Sequence, residues 1–149
     1  MPDAPVSRGG ASREPAERCG IDTVEIARIE RLLRDSPAED LLEIFSAREW
    51  ADSGAGPGRA ASLAARFAAK EACAKALGTG FRHGVFWRDM GVVNLPSGRP
   101  TLELTGGAAL ALARLTPEGH EARIDLSITD DFPTAQAIVI ITARKFALH

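Results

Sequence analysis

Between Arg66 and Gly80 the chain reads Arg-Phe-Ala-Ala-Lys-Glu-Ala-Cys-Ala-Lys-Ala-Leu-Gly-Thr-Gly, setting an arginine, two lysines and a carboxylate ahead of two glycines. Glu71 and Lys75 stand four residues apart, so on a helix they are neighbours, with Lys75 one turn nearer the glycines. That grouping suits an acid that holds a metal ion while lysines hold phosphate. It equally suits an ordinary surface ion pair, worth about 0.2–0.5 kcal/mol. A second segment, Gly20-Ile-Asp-Thr-Val-Glu-Ile-Ala-Arg-Ile-Glu30, offers another carboxylate. Asp22 lies where a short apolar piece gives way to Ile26, Ile29, Leu32 and Leu33 at helical spacing. It reads there either as a helix N-cap or as a ligand.

These side chains need elements to hold them. From Leu63 to Leu77 there is no proline or β-branched residue, and Gly78 follows where a left-handed residue would end a helix. The spacing predicts a long helix over about 61–77, with Leu63, Phe67, Lys70, Ala74 and Leu77 on one arc fit for a core. Lys70 falls on that arc, where its stem would snorkel out. Ahead of this helix the reading is a short strand around 18–22 and helices over 24–34, 38–45 and 47–52. After it come a hairpin of 85–94 and 100–104, a short helix at 107–115 and final strands at 122–129 and 135–143. This order gives an α+β domain, a small and mostly antiparallel sheet packed on a long helix. The polar, proline-bearing Glu14–Cys19 predicts a short or frayed first strand, and residues 1–18 read as a disordered tail before one domain at 19–149.

Together the motifs resemble the holo-acyl-carrier-protein synthase family, the small 4′-phosphopantetheinyl transferases. Gly20-Ile-Asp22-Thr-Val-Glu25-Ile-Ala-Arg28-Ile29 resembles the family's G-x-D-x-x-E-x-x-R-I opening, and Arg66–Gly80 matches its R-F-A-x-K-E-A-x-x-K-A-x-G-T-G block without a gap. Ile44-Phe-Ser-Ala-Arg-Glu49-Trp is similar to its F-T-x-x-E segment, Trp87-Arg-Asp-Met-Gly-Val-Val to its W-x-D-I-x-V strand, and Gly98-Arg99-Pro100 to its G-K-P turn. The resemblance covers about residues 19–143.

The resemblance implies transfer of phosphopantetheine from coenzyme A to a serine of an apo acyl carrier protein, with Mg²⁺ and release of 3′,5′-adenosine diphosphate. By it Asp22 and Glu71 are the metal carboxylates, and Lys75 neutralises the transferring phosphoryl group. Arg66 and Gly78, Thr79 and Gly80 hold the nucleotide phosphates, while Arg99 and Pro100 lie beside the adenosine. Arg28, with Arg31 and Leu32 beside it on the first helix, matches the contact for an acidic carrier protein. A homotrimer with active sites between protomers is also implied. One position departs: many relatives have histidine where this chain has Asp125. Strand alternation puts Ile124, Leu126 and Ile128 toward the core and Asp125, Ser127 and Thr129 on the other face, aimed at the cleft. There Asp125 would accept a proton, help hold the metal or orient the substrate. This departure keeps open a paralogue that binds coenzyme A or carrier protein without transfer, or one that acts on a carrier-bound acyl chain.

Composition narrows the field. The 149 residues carry a formal charge of −2 with no long basic run, which argues against nucleic acid. No apolar run approaches the length of a membrane span and no signal-peptide core opens the chain, so a cytoplasmic protein is expected. Cys19 and Cys73 lack metal-ligand spacing and read as reduced thiols. Of His83, His120 and His149, which show no shared metal spacing, His83 is the best candidate for a ligand contact.

Overall fold

The structure is a computed structural model and describes residues 17–147. The tail expected over 1–18 therefore lies outside the described residues except for Glu17 and Arg18, and these two belong to a strand. Strand β1 runs Glu17–Glu25, followed by helices α1 (Ile26–Asp35), α2 (Ala38–Ile44), α3 (Ala47–Asp52) and α4 (Gly58–Leu77). A single 3₁₀ turn at Trp87–Asp89 leads into β2 (Met90–Asn94) and β3 (Pro100–Leu104). Helix α5 (Gly106–Leu115) and strands β4 (His120–Thr129) and β5 (Thr134–Lys145) complete the order. Every strand pairing is antiparallel: β1-β5-β4 form one sheet, and β2-β3 form a separate hairpin that packs beside β4. The α+β expectation holds, with most boundaries within a few residues.

The first strand is the main correction. It is nine residues long and pairs with β5 over its whole length, from Glu17↔Thr142 to Glu25↔Thr134. Polar Glu17 and Arg18 are tolerated because β1 is the edge of this sheet, where one face and one side meet solvent. Asp22 is therefore a mid-strand residue and caps nothing. The N-cap of α1 is Glu25, and its side chain makes no capping bond.

Helix α4 is the axis of the core. Its alanines are small on every side, so β1 and β5 lie along one flank while α1, β2 and α5 cover others. The expected arc of Leu63, Phe67, Lys70, Ala74 and Leu77 is buried, but so are Ala64, Ala65, Ala68, Ala69, Ala72 and Ala76. A helix apolar nearly all round is a central one. On the sheet, Ala135, Ala137, Val139, Ile141 and Ala143 alternate onto α4, leaving Ile138 and Ile140 on the opposite face.

Strand and helix approach most closely at Gly20. A Cβ there would sit 1.8 Å from the Ala72 carbonyl oxygen, which is backbone and cannot swing away. Gly20→Ala is expected to destabilise the fold by about 3 kcal/mol, the upper part of the overpacking range, read as a lower urea midpoint at unchanged m-value. Cys73 is buried under the same layer, its thiol pushed up to about 12 by burial, and Cys19 is exposed; both are free.

Candidate active site

The approach enforced by Gly20 carries Asp22, two residues on and on the same face of β1, onto α4. There Asp22 Oδ1 accepts a hydrogen bond from Lys75 Nζ at 3.0 Å, and the same ammonium donates to the Ile21 carbonyl at 3.0 Å. Glu71, one turn earlier on α4, shares this corner. Its carboxyl is raised above the ordinary value first by burial and next by the negative charge of Asp22. Arg28, Lys75 and the Trp87 indole pull it the other way. Two carboxylates that repel one another across 49 residues of sequence, with an ammonium between them, form a site that gains from a bound cation.

The donor set fits a hard divalent ion. Among the described residues no group of three or more His, Cys, Asp or Glu could hold a metal by itself. Two carboxylates are nonetheless sufficient for Mg²⁺, which keeps its waters and completes its shell with substrate phosphate oxygens. The sign of the pH effect follows from Glu71. A carboxyl raised in the folded state favours folding when protonated, so in metal-free protein this contribution is lost as pH rises through its folded pKa. A cation competes with that proton. The rise in melting temperature produced by Mg²⁺ is therefore expected to grow with pH across the same window, as thermal denaturation at stepped pH would read.

The glycine loop does something other than expected. Gly78 adopts the left-handed conformation at φ 81°, and its N–H donates to Lys75 O at 3.0 Å; the Gly80 N–H donates to Ala74 O at 3.2 Å. Both N–H groups thus close the end of α4 rather than waiting for phosphate. A helix C-terminus is also the negative end of its dipole, so an anion there needs cations. Two are at hand. Lys75 is one, and Arg18 is the other: its Nε donates to Ala76 O at 2.7 Å, and its Nη2 lies 2.7 Å from where a Gly78 Cβ would be. Thr79 turns its hydroxyl onto Gly80 O.

Other candidate residues are spread out. Arg66 is twelve residues before Gly78, about 18 Å along the helix axis, and its Nη1 is bonded back to the hydroxyl and carbonyl of Ser62. One chain does not bring Arg66 and the glycine loop together. Arg28, Arg31 and Leu32 line a groove of about 410 Å³ with Phe67 and Trp87, next to Glu71. The Arg28 guanidinium lies 5.4 Å over the Phe67 ring. Arg99 and Pro100 share a second groove, of about 260 Å³, with Asp125. Asp125 pairs in register with Ile140, whereas Asp22 pairs with Ala137, so the two aspartates occupy opposite faces of the sheet. Within one chain Asp125 does not point into the Asp22–Glu71 corner. His83 is exposed in the loop at φ 58°, His120 bonds Glu118 O, and His149 lies outside the described residues.

Sequence reasoning gave no role to three residues. Arg18 was hidden by its polar neighbours. Trp87 stacks on Phe81 with ring centroids 4.2 Å apart, its indole N–H buried toward Glu71; only its place in a motif singled it out. Glu49 is 1% exposed and pairs with Lys70 at 2.6 Å. Lys70 therefore does not snorkel: it ends inside the core, also bonded to Ile44 O at 2.5 Å.

The comparisons with known proteins say which class of protein this α+β fold belongs to. The family model described as the 4′-phosphopantetheinyl transferase superfamily matches residues 18–137, and the chain belongs to that family. It is 59% identical over 128 residues to a holo-[acyl-carrier-protein] synthase of Afipia carboxidovorans, covering 83% of this chain and 93% of that one. Among solved structures it resembles the synthase of Neisseria meningitidis at 32% identity and TM-score 0.69, over 86% of this chain and 98% of that chain. It also resembles the Helicobacter pylori synthase in complex with coenzyme A at 28% identity and TM-score 0.69, over 83% and 98%.

Proposed function

We propose that this chain is a holo-[acyl-carrier-protein] synthase, transferring the 4′-phosphopantetheine arm of coenzyme A to the serine of an apo acyl carrier protein. The observation that carries the reading is the convergence of Asp22, Glu71 and Lys75 on one corner between β1 and α4. The serine oxygen forms a bond to the β-phosphorus as the pyrophosphate P–O bond breaks, and 3′,5′-adenosine diphosphate leaves. Asp22 and Glu71 would hold Mg²⁺, which supplies charge neutralisation on the pyrophosphate. Lys75, now paired with Asp22, is placed to turn its ammonium toward the phosphoryl oxygens. The serine proton would pass to an oxygen of Glu71 that the cation leaves free. Arg18 and Lys75 offset the helix end where the glycine loop would meet phosphate, and Thr79 lies between those glycines.

Arg28, Arg31 and Leu32 would meet the carrier protein. They line a groove with Trp87, and both Arg28 and Trp87 act on the Glu71 carboxyl, where the acceptor serine would have to arrive. A homotrimer with shared sites agrees with three features. Arg99 and Pro100, matched to the adenosine, and Asp125, at the family's histidine position, lie across the sheet from Asp22 or at its far edge, so a second copy would have to bring them to the carboxylates. The solvent face of the sheet also carries Ile21, Ile138 and Ile140, at 57%, 41% and 38% exposure, an apolar strip suited to burial against such a copy. Arg66, far from the glycine loop in one chain, fits the same scheme. No helix among the described residues is long and apolar enough to cross a membrane, in keeping with work in the cytoplasm. The test is direct: incubate the protein with coenzyme A, Mg²⁺ and apo carrier protein and weigh the carrier. A phosphopantetheine adduct is expected; an unchanged mass with every carrier offered would refute the assignment.

A further inference from the structure

Asp125 lies inside an arginine cluster on the solvent face of the sheet, built from β4 and the β2–β3 turn. Its Oδ1 accepts from Arg123 Nε at 3.2 Å, from Arg123 Nη2 at 3.1 Å and from Arg99 Nη2 at 3.3 Å, and its Oδ2 accepts from Arg123 Nε at 3.0 Å. Three N–H donors thus surround the carboxylate, the Arg123 Nε–H being shared between its two oxygens. Arg144 completes the rim of the same groove, and Leu95 and Pro100 supply apolar surface. Arg144 also faces Glu121 at 4.0 Å, so the positive charge the groove has in excess rests on Arg99 and Arg123, which share the one carboxylate of Asp125.

The donors are far from used up. Each guanidinium carries five N–H groups, and Arg99 gives one Nη2 contact to Asp125 while Arg123 gives Nε and Nη2. The Nη1 groups of both remain to be spent, and two planar forks held side by side recognise phosphate better than mobile ones. A free carboxylate in the same place would repel phosphate. One enclosed by arginines fixes their geometry instead, and about 260 Å³ beside apolar side chains suits the nucleoside end of a nucleotide.

We infer that Asp125 is a positioning residue: it holds Arg99 and Arg123 together so that they grip the phosphate at the nucleoside end of the donor, and it takes no proton in the reaction. This rests on the transfer reading given above and says which group of coenzyme A the cluster reads, its 3′-phosphate. Asp125→Asn keeps the shape and removes the charge that anchors the two arginines.

The experiment compares wild type, Asp125→Asn and Arg123→Gln with coenzyme A and with 3′-dephospho-coenzyme A as donors, reading carrier loading under saturating Mg²⁺. For Asp125→Asn the KM for coenzyme A is expected to rise about tenfold with kcat held within about threefold, while the KM for the dephosphorylated donor moves less than about twofold. Arg123→Gln is expected to shift in the same direction, and the double variant to add little to either alone. All four side chains of the cluster reach solvent, so unchanged melting midpoints are expected to confirm folded variants. A hundredfold fall in kcat at unchanged KM would make Asp125 part of the chemistry and overturn the inference. Equal effects on both donors, or none on either, would overturn it as well. Wild type that loads no carrier with either donor would instead overturn the transfer reading. Calorimetric binding of 3′,5′-adenosine diphosphate then judges the cluster alone: about tenfold weaker binding to Asp125→Asn supports it, and equal binding refutes it.

Discussion

Glu71→Gln is expected to lower carrier loading by about a thousandfold at saturating coenzyme A and carrier, the scale seen when one preorganised charge-stabilising group is removed from an active site. The amide keeps the size of the side chain but can neither bind a hard cation well nor accept a proton. The same change is expected to raise, not lower, the melting temperature of metal-free protein above the raised pKa of Glu71. The reason is that the wild-type carboxylate is partly buried and faces the charge of Asp22, both of which disfavour its ionised form. The stabilisation by Mg²⁺ is expected to vanish with it. Loss of activity with a lower melting temperature and a retained Mg²⁺ response would show that Glu71 is a packing residue and that the metal binds elsewhere. The two readouts move in opposite directions, which separates a functional carboxylate from a structural one.

Lys70→Met is expected to destabilise the fold by about 3–5 kcal/mol, the consequence of leaving one partner of a buried pair charged and alone. Burial pulls the Lys70 ammonium below the ordinary lysine range, with Glu49 opposing that shift. Glu49 is the hub on the other side. Its Oε1 also accepts from the Ser46 N–H at 2.9 Å, and its Oε2 accepts from the Val92 N–H at 3.0 Å. It thereby ties the start of α3 and strand β2 to the centre of α4, one residue from Glu71. Replacing both partners, as in Glu49→Leu with Lys70→Met, is expected to recover much of the loss from the charge while leaving the Ser46 and Val92 N–H groups without that acceptor. Urea denaturation of the two single variants and the double variant gives the coupling directly. Additive losses would show that the pair acts as two separate contacts.

Much of this molecule follows from local rules. The span of α4 is written in its run of helix formers and in Gly78, which ends the helix whatever packs around it. The apolar run from Ala137 to Ile141 likewise marks a strand, though only packing on α4 decides that Ala137, Val139 and Ile141 are the buried ones. Asp22 and Glu71 could likewise be singled out as candidates, because motif spacing picks out residue types that chemistry needs.

What local pattern could not supply was partnership. Glu17 and Arg18 look like tail because strand propensity is read from side chains, yet β5 offers them a ladder of backbone bonds. Lys70 reads as a snorkelling lysine until the fold delivers Glu49 from 21 residues away. The glycine N–H groups look free for phosphate until the end of α4 claims them. Asp125 alternates correctly out of the core, but alternation does not say which side of the sheet holds the other carboxylates. That was decided by register: Asp22 pairs with Ala137 and Asp125 with Ile140, and an odd offset along β5 places them on opposite faces. Residue types and short spacings are properties of the chain, whereas pairings between distant segments exist only once the backbone has closed on itself.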